Sequence, residues 1–528
     1  MKSVISKMTV LLLASSLAVS SGCASGGSPK ANDSSALISG VSDSVTPESQ
    51  ESPAKLNVFS RDIGHIWNGD NEVVKEVEKR LNLDLNYTFT PDTEFLSKVN
   101  LLIASNELPD VFIFKNYDFF QYIPQNIFLE ISELIKTEGQ DILSIYPEMV
   151  FDLIRVDGEL FGVPGYNEPG KFVFQLRQDW LDSLGLQMPS NLSELRAVLK
   201  AFTDGDPDGN GKNDTIGLAP DVQFTDLPIG APVFQPIFGA YGIMPGYFFE
   251  KDGKAYSASI APEYKEAMEY IKALFMEDKS LDPDTFIMQT DQAKQNYASG
   301  RVGAVCGWYS TIPVIAYDQL KMDQNVPEAE WSIIREIRGD NGENGLAANG
   351  MLTYTTNITT ACANPEAAMR YLNFLATDEG ARIAAVGIEG KHHLTQDGQY
   401  AGLTEEGQKA LDDKWLDVLA FTIQRFDYKK VMYKVNSPHW TPYLDAIAEY
   451  PLYYNLFEAL STDESVAYLS ELKKIEVEWF IRFVTGAEPL ENFGDYSQQW
   501  LRAGGREVLD SYISAYNEKN NANLSAGQ

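Results

Sequence analysis

The fold is decided by residues 56–114, which read LNVFSRDIGHIWNGDNEVVKEVEKRLNLDLNYTFTPDTEFLSKVNLLIASNELPDVFIF. The apolar residues follow the period of a strand in three places and that of an amphipathic helix in two places between them. The predicted order is strand, helix, strand, helix, strand, over residues 56–59, 73–81, 83–89, 93–102 and 111–114. Asp70 is the expected N-cap of the first helix. This alternation predicts an α/β fold with a parallel sheet, in which ligands bind beyond the carboxyl ends of the strands.

The rest of the chain continues with similar elements. Helix starts are predicted at Asn191, Asn364 and Thr377, from their side chains and the residues that follow them. Residues 462–484 are expected to form a long helix that Gly486 ends.

Composition excludes two classes of partner. The chain has 528 residues, enough for roughly three to four domains, and carries 42 Lys and Arg against 75 Asp and Glu. The net charge of −33 repels phosphate backbones, so nucleic acid is not an expected partner. Such a chain is also a poor match for anionic lipid surfaces. Only four histidines are present, which leaves little room for a His-rich metal centre.

The amino terminus has the pattern of a secretory signal. Two early lysines precede a short apolar run, too short to span a membrane, and small residues lead to Cys23. Residues 20–23, SSGC, resemble a bacterial lipobox, which implies that residues 1–22 are a lipoprotein signal and that Cys23 is acylated, with palmitate among the lipids. The alternative is an ordinary cleaved signal with an incidental Cys. Residues 23–54 are rich in Ser, Gly and Pro and are expected to form a flexible tether outside the cytoplasm.

The remaining cysteine and histidine residues give no clear indication of a catalytic or metal site. Cys306 and Cys362 either form a disulfide or are two buried thiols. The neighbours His392 and His393 are expected on a solvated loop. No G-x-S-x-G or H-E-x-x-H motif is present, so an enzyme has no positive support in the sequence.

Residues 206–214, DPDGNGKND, have the oxygen spacing of a calcium loop. The expected ligands of a structural Ca²⁺ are the side chains of Asp206, Asp208, Asn210 and Asp214 and the backbone carbonyl of Lys212. Gly217 stands where an EF-hand has its bidentate Glu. The alternative is a turn rich in Asx and Gly that binds no metal.

Several stretches together resemble one family. They are residues 104–110, 157–164, 177–186, 189–195, 206–214 and 300–304. In this order they are similar to bacterial extracellular solute-binding proteins of family 1, the lipoprotein receptors of carbohydrate ABC importers. The likeness is greatest to large oligosaccharide-binding members with a calcium loop, although Thr215 stands where those often have Glu.

The resemblance implies a two-lobed, periplasmic-binding-protein-like fold with a ligand cleft between the lobes. The implied boundaries are 55–165 and 350–395 for lobe one, 166–349 and 396–520 for lobe two, and 521–528 for a tail. It also implies a monomer that captures an oligosaccharide by lobe closure and delivers it to the permease subunits of an ABC transporter, without being an enzyme. The alternatives are a surface glycosidase or polysaccharide lyase, and an adhesin or sensory accessory protein.

Sugar recognition requires aromatic faces for pyranose C–H groups and polar side chains for hydroxyls. The candidate ligand contacts, placed partly by the resemblance, are Trp67, Asp110, Tyr166, Arg177, Trp308, Tyr309, Glu389 and Trp440. For Trp308 and Tyr309 the alternative is the core of lobe two, and for Asp110 it is a loop cap. Arg177 has Asp179 as its alternative partner.

Overall fold

The computed structural model describes residues 52–62, 70–166, 172–220, 234–309, 311–312, 316, 321–348, 352–425, 435, 450–458 and 460–527. The expectations for Cys23, Trp67 and Trp440 fall outside these residues. Within the described ranges, the protein has no helix with both the length and the apolar character needed to cross a membrane.

The strands are short and mostly buried. In chain order they are β1 (Ala54–Asp62), β2 (Leu83–Pro91), β3 (Val111–Lys115), β4 (Arg155–Val156), β5 (Glu159–Leu160), β6 (Val163–Tyr166), β7 (Phe172–Arg177), β8 (Ile216–Pro220), β9 (Phe248–Lys251), β10 (Lys254–Ser257), β11 (Val302–Trp308), β12 (Trp331–Ile333), β13 (Leu346–Ala347), β14 (Leu352–Ile358), β15 (His393–Gln396), β16 (Gln399–Leu403), β17 (Leu452–Tyr453) and β18 (Ser525–Ala526).

Helices connect and cover these strands. The α-helices span Glu72–Leu81, Phe95–Ser105, Ser132–Glu138, Gln140–Ile145, Glu148–Asp152, Gln178–Leu184, Leu192–Asp204, Gln235–Ala240, Pro262–Lys272, Thr290–Ala298, Met322–Asn325, Pro365–Ala376, Asp378–Val386, Glu405–Asp412, Asp463–Val484, Phe493–Trp500 and Arg506–Asn520.

The first sheet confirms the parallel arrangement predicted from residues 56–114. Its strand order is β2-β1-β3-β14-β6, and β1 is parallel to both β2 and β3. β14 then runs antiparallel to β3 and to β6. The helices Glu72–Leu81 and Phe95–Ser105 bury Val73, Val77 and Val99 in the core of this sheet. We call this sheet and its core the first lobe.

Helix starts were predicted well, with one exception, although Asn364 precedes its helix without a side-chain capping bond. Asn191, Thr377 and Thr462 accept backbone N–H groups at the starts of their helices, as expected. The first helix is capped by Asn71, whose side-chain oxygen accepts from the N–H groups of Val73 and Val74. The predicted cap, Asp70, is wrong by one residue. Its carboxylate instead pairs with Lys75.

The second sheet has the order β12-β7-β11-β8 and is buried on both faces. Phe174 and Leu176 of β7 face a large core formed with the carboxyl-terminal helices. Val173 and Val305 face a smaller core that includes Tyr309 and Ile312. We call this sheet and its two cores the second lobe.

The chain passes between the two lobes at one edge of each sheet. It leaves β6 at Tyr166 and enters β7 at Phe172. It returns between Ala347 of β13 and the start of β14, and β13 pairs in parallel with β17. The residues on either side of these crossings therefore mark the facing edges of the lobes. The exact lobe boundaries stay a prediction, and residues as far along as Ile423 pack in the core of the first lobe.

The cysteine and histidine side chains within the described ranges are buried. Cys306 and Cys362 are buried thiols that are not joined by a disulfide, which decides between the two alternatives. The expectation of a solvated loop for His392 and His393 is wrong, because both are at most 1% exposed. The ring of His392 packs edge-on against Trp415, a contact between residues too far apart in sequence to be read from local pattern.

Glu476 lies inside the second lobe with no cationic partner among the described residues. Its carboxylate accepts a hydrogen bond of 2.8 Å from Nε1 of Trp500. Burial raises the pKa of Glu476 to about 7, and the Trp500 bond only partly offsets this. The side chain therefore gains a proton on folding over much of the acidic range.

Glu476 should make the second lobe less stable as pH rises. Because the folded-state pKa exceeds the unfolded value of 4.5, the stabilisation is complete below about pH 4.5 and is lost as pH rises through 7. The loss is about 3 kcal/mol. We expect Glu476→Gln to abolish this dependence in urea unfolding at several pH values. The exposed Glu471→Gln on the same helix should behave as wild type, and equal pH profiles for wild type and Glu476→Gln would refute the assignment.

Candidate functional site

An exposed tryptophan stands at the edge of the second lobe that faces the crossings. Trp308 ends β11 and pairs with Phe172, the first residue after a crossing. Its side chain is 42% exposed, although the six residues before it in the strand are buried. The indole packs on the ring of Phe172 with 4.4 Å between centroids. One ring face is thus supported while much of the side chain stays open to a ligand.

Charged side chains occupy the corresponding edge of the first lobe. Arg61, near the carboxyl end of β1, is buried and pairs with Asp92 after β2 and with Asp118, whose Oδ2 lies 3.3 Å from Nη2. Lys115, which ends β3, has Nζ 3.8 Å from Oδ2 of Asp92. The guanidinium of Arg61 also lies over the ring of Phe95. This edge therefore offers fixed, paired charges rather than an unpaired cation.

One hydrogen bond joins the two lobes directly. The hydroxyl of Tyr117, two residues after β3, donates to Oε1 of Glu458 at 2.9 Å. Glu458 belongs to the second lobe, because the neighbouring Asn455 accepts from the N–H of Phe248 and Phe457 packs in the large core. Burial raises the pKa of both the Tyr117 hydroxyl and the Glu458 carboxyl.

A groove lies beside this bond. It encloses about 330 Å³, and its walls include Phe120, Phe457 and Tyr512. It shows that the lobes meet through aromatic surface at this point.

Three of the expected ligand contacts, Tyr166, Tyr309 and Glu389, lie in three different environments: beside a crossing, in a core and on the surface. Tyr166 ends β6 beside a crossing and packs edge-on against Tyr146. Tyr309 is only 6% exposed and belongs to the smaller core of the second lobe, which favours the core alternative. Glu389 is exposed and accepts a hydrogen bond from Thr395. The described structure brings Tyr166 and Trp308 to facing edges; Glu389 lies next to the β15–β16 hairpin.

Asp110 does not lie at the edge that carries the crossings. It precedes β3, and Lys115 at the other end of that strand pairs with Tyr354 near a crossing. The carboxylate of Asp110 accepts from the backbone N–H and the side-chain amide of Asn57, at 2.7 and 3.0 Å. This placement corrects the expected rim position and favours a structural role for Asp110.

Arg177 is engaged within the second lobe. Its guanidinium is buried and makes two bonds to the carboxylate of Asp179, at 2.7 and 2.5 Å. A third bond of 3.1 Å goes to the carbonyl of Gly300. The residue lies at the end of β7 opposite to Phe172, away from the crossings. The structure favours the alternative in which Arg177 pairs with Asp179.

The acidic loop 206–214 brings its oxygen donors together. Asp206 accepts from the backbone N–H groups of Asn210 and Gly211, at 3.1 and 3.0 Å. The side-chain nitrogen of Asn210 lies 2.7 Å from Asp208 and 3.1 Å from Asp214. Burial and the nearby carboxylates raise the pKa of Asp208.

This donor set fits a hard cation. The expected ligands are carboxylate, amide and carbonyl oxygens, which Ca²⁺ prefers. Gly211 has φ of 75°, a conformation that suits glycine at the sharp turn of the loop. Thr215 turns away, because its hydroxyl donates to the carbonyl of Phe202 at 2.8 Å. Its side chain therefore does not point into the loop as a ligand.

Within the described part of the chain, one cluster brings three His, Cys or acidic side chains close enough to share a metal ion, Glu72, His392 and Glu406, and the carboxylates of loop 206–214 do not form such a cluster. The chemistry of the cluster around His392 excludes a metal on the imidazole. Nδ1 of His392 accepts the N–H of Ile388 at 3.0 Å, so the neutral ring carries its proton on Nε2, which faces Glu72 at 3.8 Å. The two carboxylates share the ammonium of Lys391 as an ion-pair partner. We interpret the cluster as an ion pair that holds the β15–β16 hairpin to the first helix.

The sequence analysis missed the edge residues Arg61, Asp92, Lys115 and Tyr117. A usable signal was present, because each lies within three residues of the carboxyl end of a predicted parallel strand. Glu458 had no such signal, since its position depends on a crossing that sequence periodicity does not show.

Comparisons with known proteins agree with this architecture. A family model described as "Bacterial extracellular solute-binding protein" matches residues 69–382, more than half of the chain. The polygalacturonan/rhamnogalacturonan-binding protein YtcQ of Bacillus subtilis is 25% identical over 457 residues, which cover 85% of this chain and 88% of YtcQ. Lipoprotein LipO of the same organism is 24% identical, over 84% of this chain and 88% of LipO.

A solved structure shares the fold. It is an EF-hand mutant of the Streptococcus pneumoniae ABC-transporter substrate binding protein FusA in complex with fructo-nystose, with a TM-score of 0.64 and 19% identity. The superposition covers 88% of this chain and 99% of that one. At this identity the likeness shows the two-lobed fold alone.

Proposed function

The chain belongs to the bacterial extracellular solute-binding protein family, and from that premise we propose that it is the receptor of a carbohydrate ABC importer. It captures an oligosaccharide between its lobes and delivers it to permease subunits in the membrane. The observation that carries the sugar assignment is the exposed Trp308 on the facing edge of the second lobe. YtcQ is named for binding polygalacturonan and rhamnogalacturonan, which supports a glycan ligand.

Ligand capture requires only a shift between lobe arrangements. A ligand that touches both lobes stabilises the closed arrangement by its differential contacts. Tyr117 and Glu458 add a direct contact in that arrangement. We assign the lobes as the resemblance implied, with one change. Residues 396–424 join the first lobe, because Ala410, Leu416 and Ile423 pack in its core.

The protein acts at the outer face of the membrane. A lipid on Cys23, a cleaved signal over residues 1–22 and a tether over residues 23–54 would hold a monomeric receptor there. The likeness to the lipoprotein LipO supports this arrangement.

The loop 206–214 would hold a structural Ca²⁺. Asp206, Asp208, Asn210 and Asp214 supply side-chain oxygens and Lys212 a backbone carbonyl. The ion would relieve the repulsion among three carboxylates. FusA, a structural neighbour, has been solved as an EF-hand mutant, which supports a metal at this type of loop.

A thermal-shift screen against neutral and acidic oligosaccharides tests the function. A bound glycan should stabilise the protein, by about 2.7 kcal/mol at a concentration of 100 times Kd, and chromatography should recover the glycan uncut. New fragments would instead identify a glycosidase or lyase. Binding confined to insoluble cell-wall polymers would identify an adhesin.

Trp308→Ala should weaken binding of that glycan by roughly 30-fold, because the stacking surface is lost. Trp415→Ala is the matched control, since Trp415 packs against His392 in the first lobe, away from the facing edge. It should lower stability and leave Kd unchanged. Equal affinities of the two variants in isothermal titration calorimetry would remove Trp308 from the site.

Excess chelator should lower the melting temperature of the protein by several degrees and leave glycan affinity intact, because the loop lies within one lobe. The melting temperature of Asp208→Asn should not change when chelator is added. Asp252→Asn, in the exposed turn between β9 and β10, should respond as wild type does. An unchanged melting curve of wild type in chelator would contradict a bound metal.

A further inference from the structure

Gln175 is a polar residue in the most protected part of the second lobe. It lies in β7, between Val305 of β11 and Ile333 of β12, and its side chain is fully buried. Both neighbours in sequence, Phe174 and Leu176, point into the large core. A glutamine at such a position is costly unless both ends of its amide are hydrogen-bonded.

Both ends of the amide are used, and both bonds go to one loop. Nε2 of Gln175 donates to the carbonyl of Trp308 at 2.8 Å. Oε1 accepts the backbone N–H of Ile312 at 3.2 Å. The side chain thereby connects the last residue of β11 to a residue four positions later. The end of the strand and Ile312 are thus both held by one buried side chain.

The two hydrogen bonds of Gln175 hold backbone groups of the loop, and they do not involve the ring of Trp308. Tyr309 and Ile312 are buried in the smaller core, at 6% and 0% exposure. Among the described residues of this loop, 308, 309, 311 and 312, only Trp308 presents an exposed side chain, and that side chain rests on Phe172. Because the carbonyl of Trp308 is fixed from below by Gln175, the backbone that carries the indole has one preferred orientation.

Only an amide satisfies this arrangement over the whole pH range. An apolar side chain of the same size would leave a buried carbonyl and a buried N–H without partners, each at a cost of about 1–3 kcal/mol. A carboxylate would accept from Ile312 but offer nothing to Trp308. A protonated carboxyl group would again donate to one and accept from the other.

We propose that Gln175 is a positioning residue of the glycan site, which holds the loop after β11 so that Trp308 presents its ring to the sugar. The inference rests on the proposed function, because Trp308 is the residue assigned to stack on the ligand. It adds a residue that never touches the ligand and a reason why the second lobe keeps a polar group in its core.

A double-mutant cycle with calorimetry tests the inference. Gln175→Met should weaken glycan binding by about tenfold in the wild-type background. It should have no further effect in a Trp308→Ala background, because both changes act through the same ring. Asn357→Leu is the matched control: Asn357 is a fully buried amide that donates to the carbonyl of Phe161 at 2.7 Å, in the first lobe. It should lower the melting temperature and leave Kd unchanged.

The pH profile of Gln175→Glu gives a readout that a purely structural role would not produce. Its affinity relative to wild type should recover as pH falls from 8 to 5, since the buried carboxyl group gains the proton it needs to donate to Trp308. Gln175→Met should show no such recovery. Wild-type affinity in Gln175→Met, or equal losses in the two backgrounds, would overturn the inference.

Failure of the proposed function leaves a separate test. If wild type binds no glycan, acrylamide quenching of tryptophan fluorescence can be compared between wild type and Trp308→Phe. The difference between the two quenching constants reports the solvent accessibility of Trp308. Gln175→Met should change that difference, and an unchanged quenching constant would overturn the positioning role on its own.

Discussion

The structure depends on where the chain crosses between its two sheets. Two of the crossings lie at strand ends, one between β6 and β7 and one between β13 and β14, so they fix which edge of each sheet faces the other. The parallel order of β1 and β3 then brings Arg61 and Lys115 to the same edge. In the second lobe, the antiparallel pairing of β7 with β11 brings Trp308 beside Phe172 at that edge. The position of the candidate site is therefore set by the direction of the strands and by how they are connected.

Buried polar groups in the second lobe have distinct roles that follow from their partners. Gln175 has a donor and an acceptor, both satisfied by backbone groups of one loop, and therefore orders that loop. Glu476 accepts hydrogen bonds from Trp500 and Ser259 and has no described cation beside it, so its burial raises its pKa. Glu458 accepts its hydrogen bond from Tyr117 of the other lobe. This bond therefore depends on how the two lobes are arranged.

The local sequence pattern was sufficient to predict helices and strands. It was insufficient to predict which side chains contact each other across the fold. The strands over residues 56–114 and most helix caps were predictable, because period and capping depend on residues a few positions apart. The cap of the first helix was off by one, since Asp70 and Asn71 are equally suitable types. Asp110 was misplaced because its partner Asn57 lies 53 residues away. The His392 and His393 expectation failed for the same reason, as burial by Trp415 is a tertiary effect. The role of Trp308 was expected from its family position and stays a prediction; its side chain is partly exposed.

The central claim is that two lobes close on a glycan without altering it. Small-angle X-ray scattering of the protein with and without a saturating, calorimetrically verified glycan measures this directly. The account predicts a smaller radius of gyration in the bound state, with the glycan recovered intact afterwards. An identical scattering profile with the glycan bound would contradict capture by lobe closure.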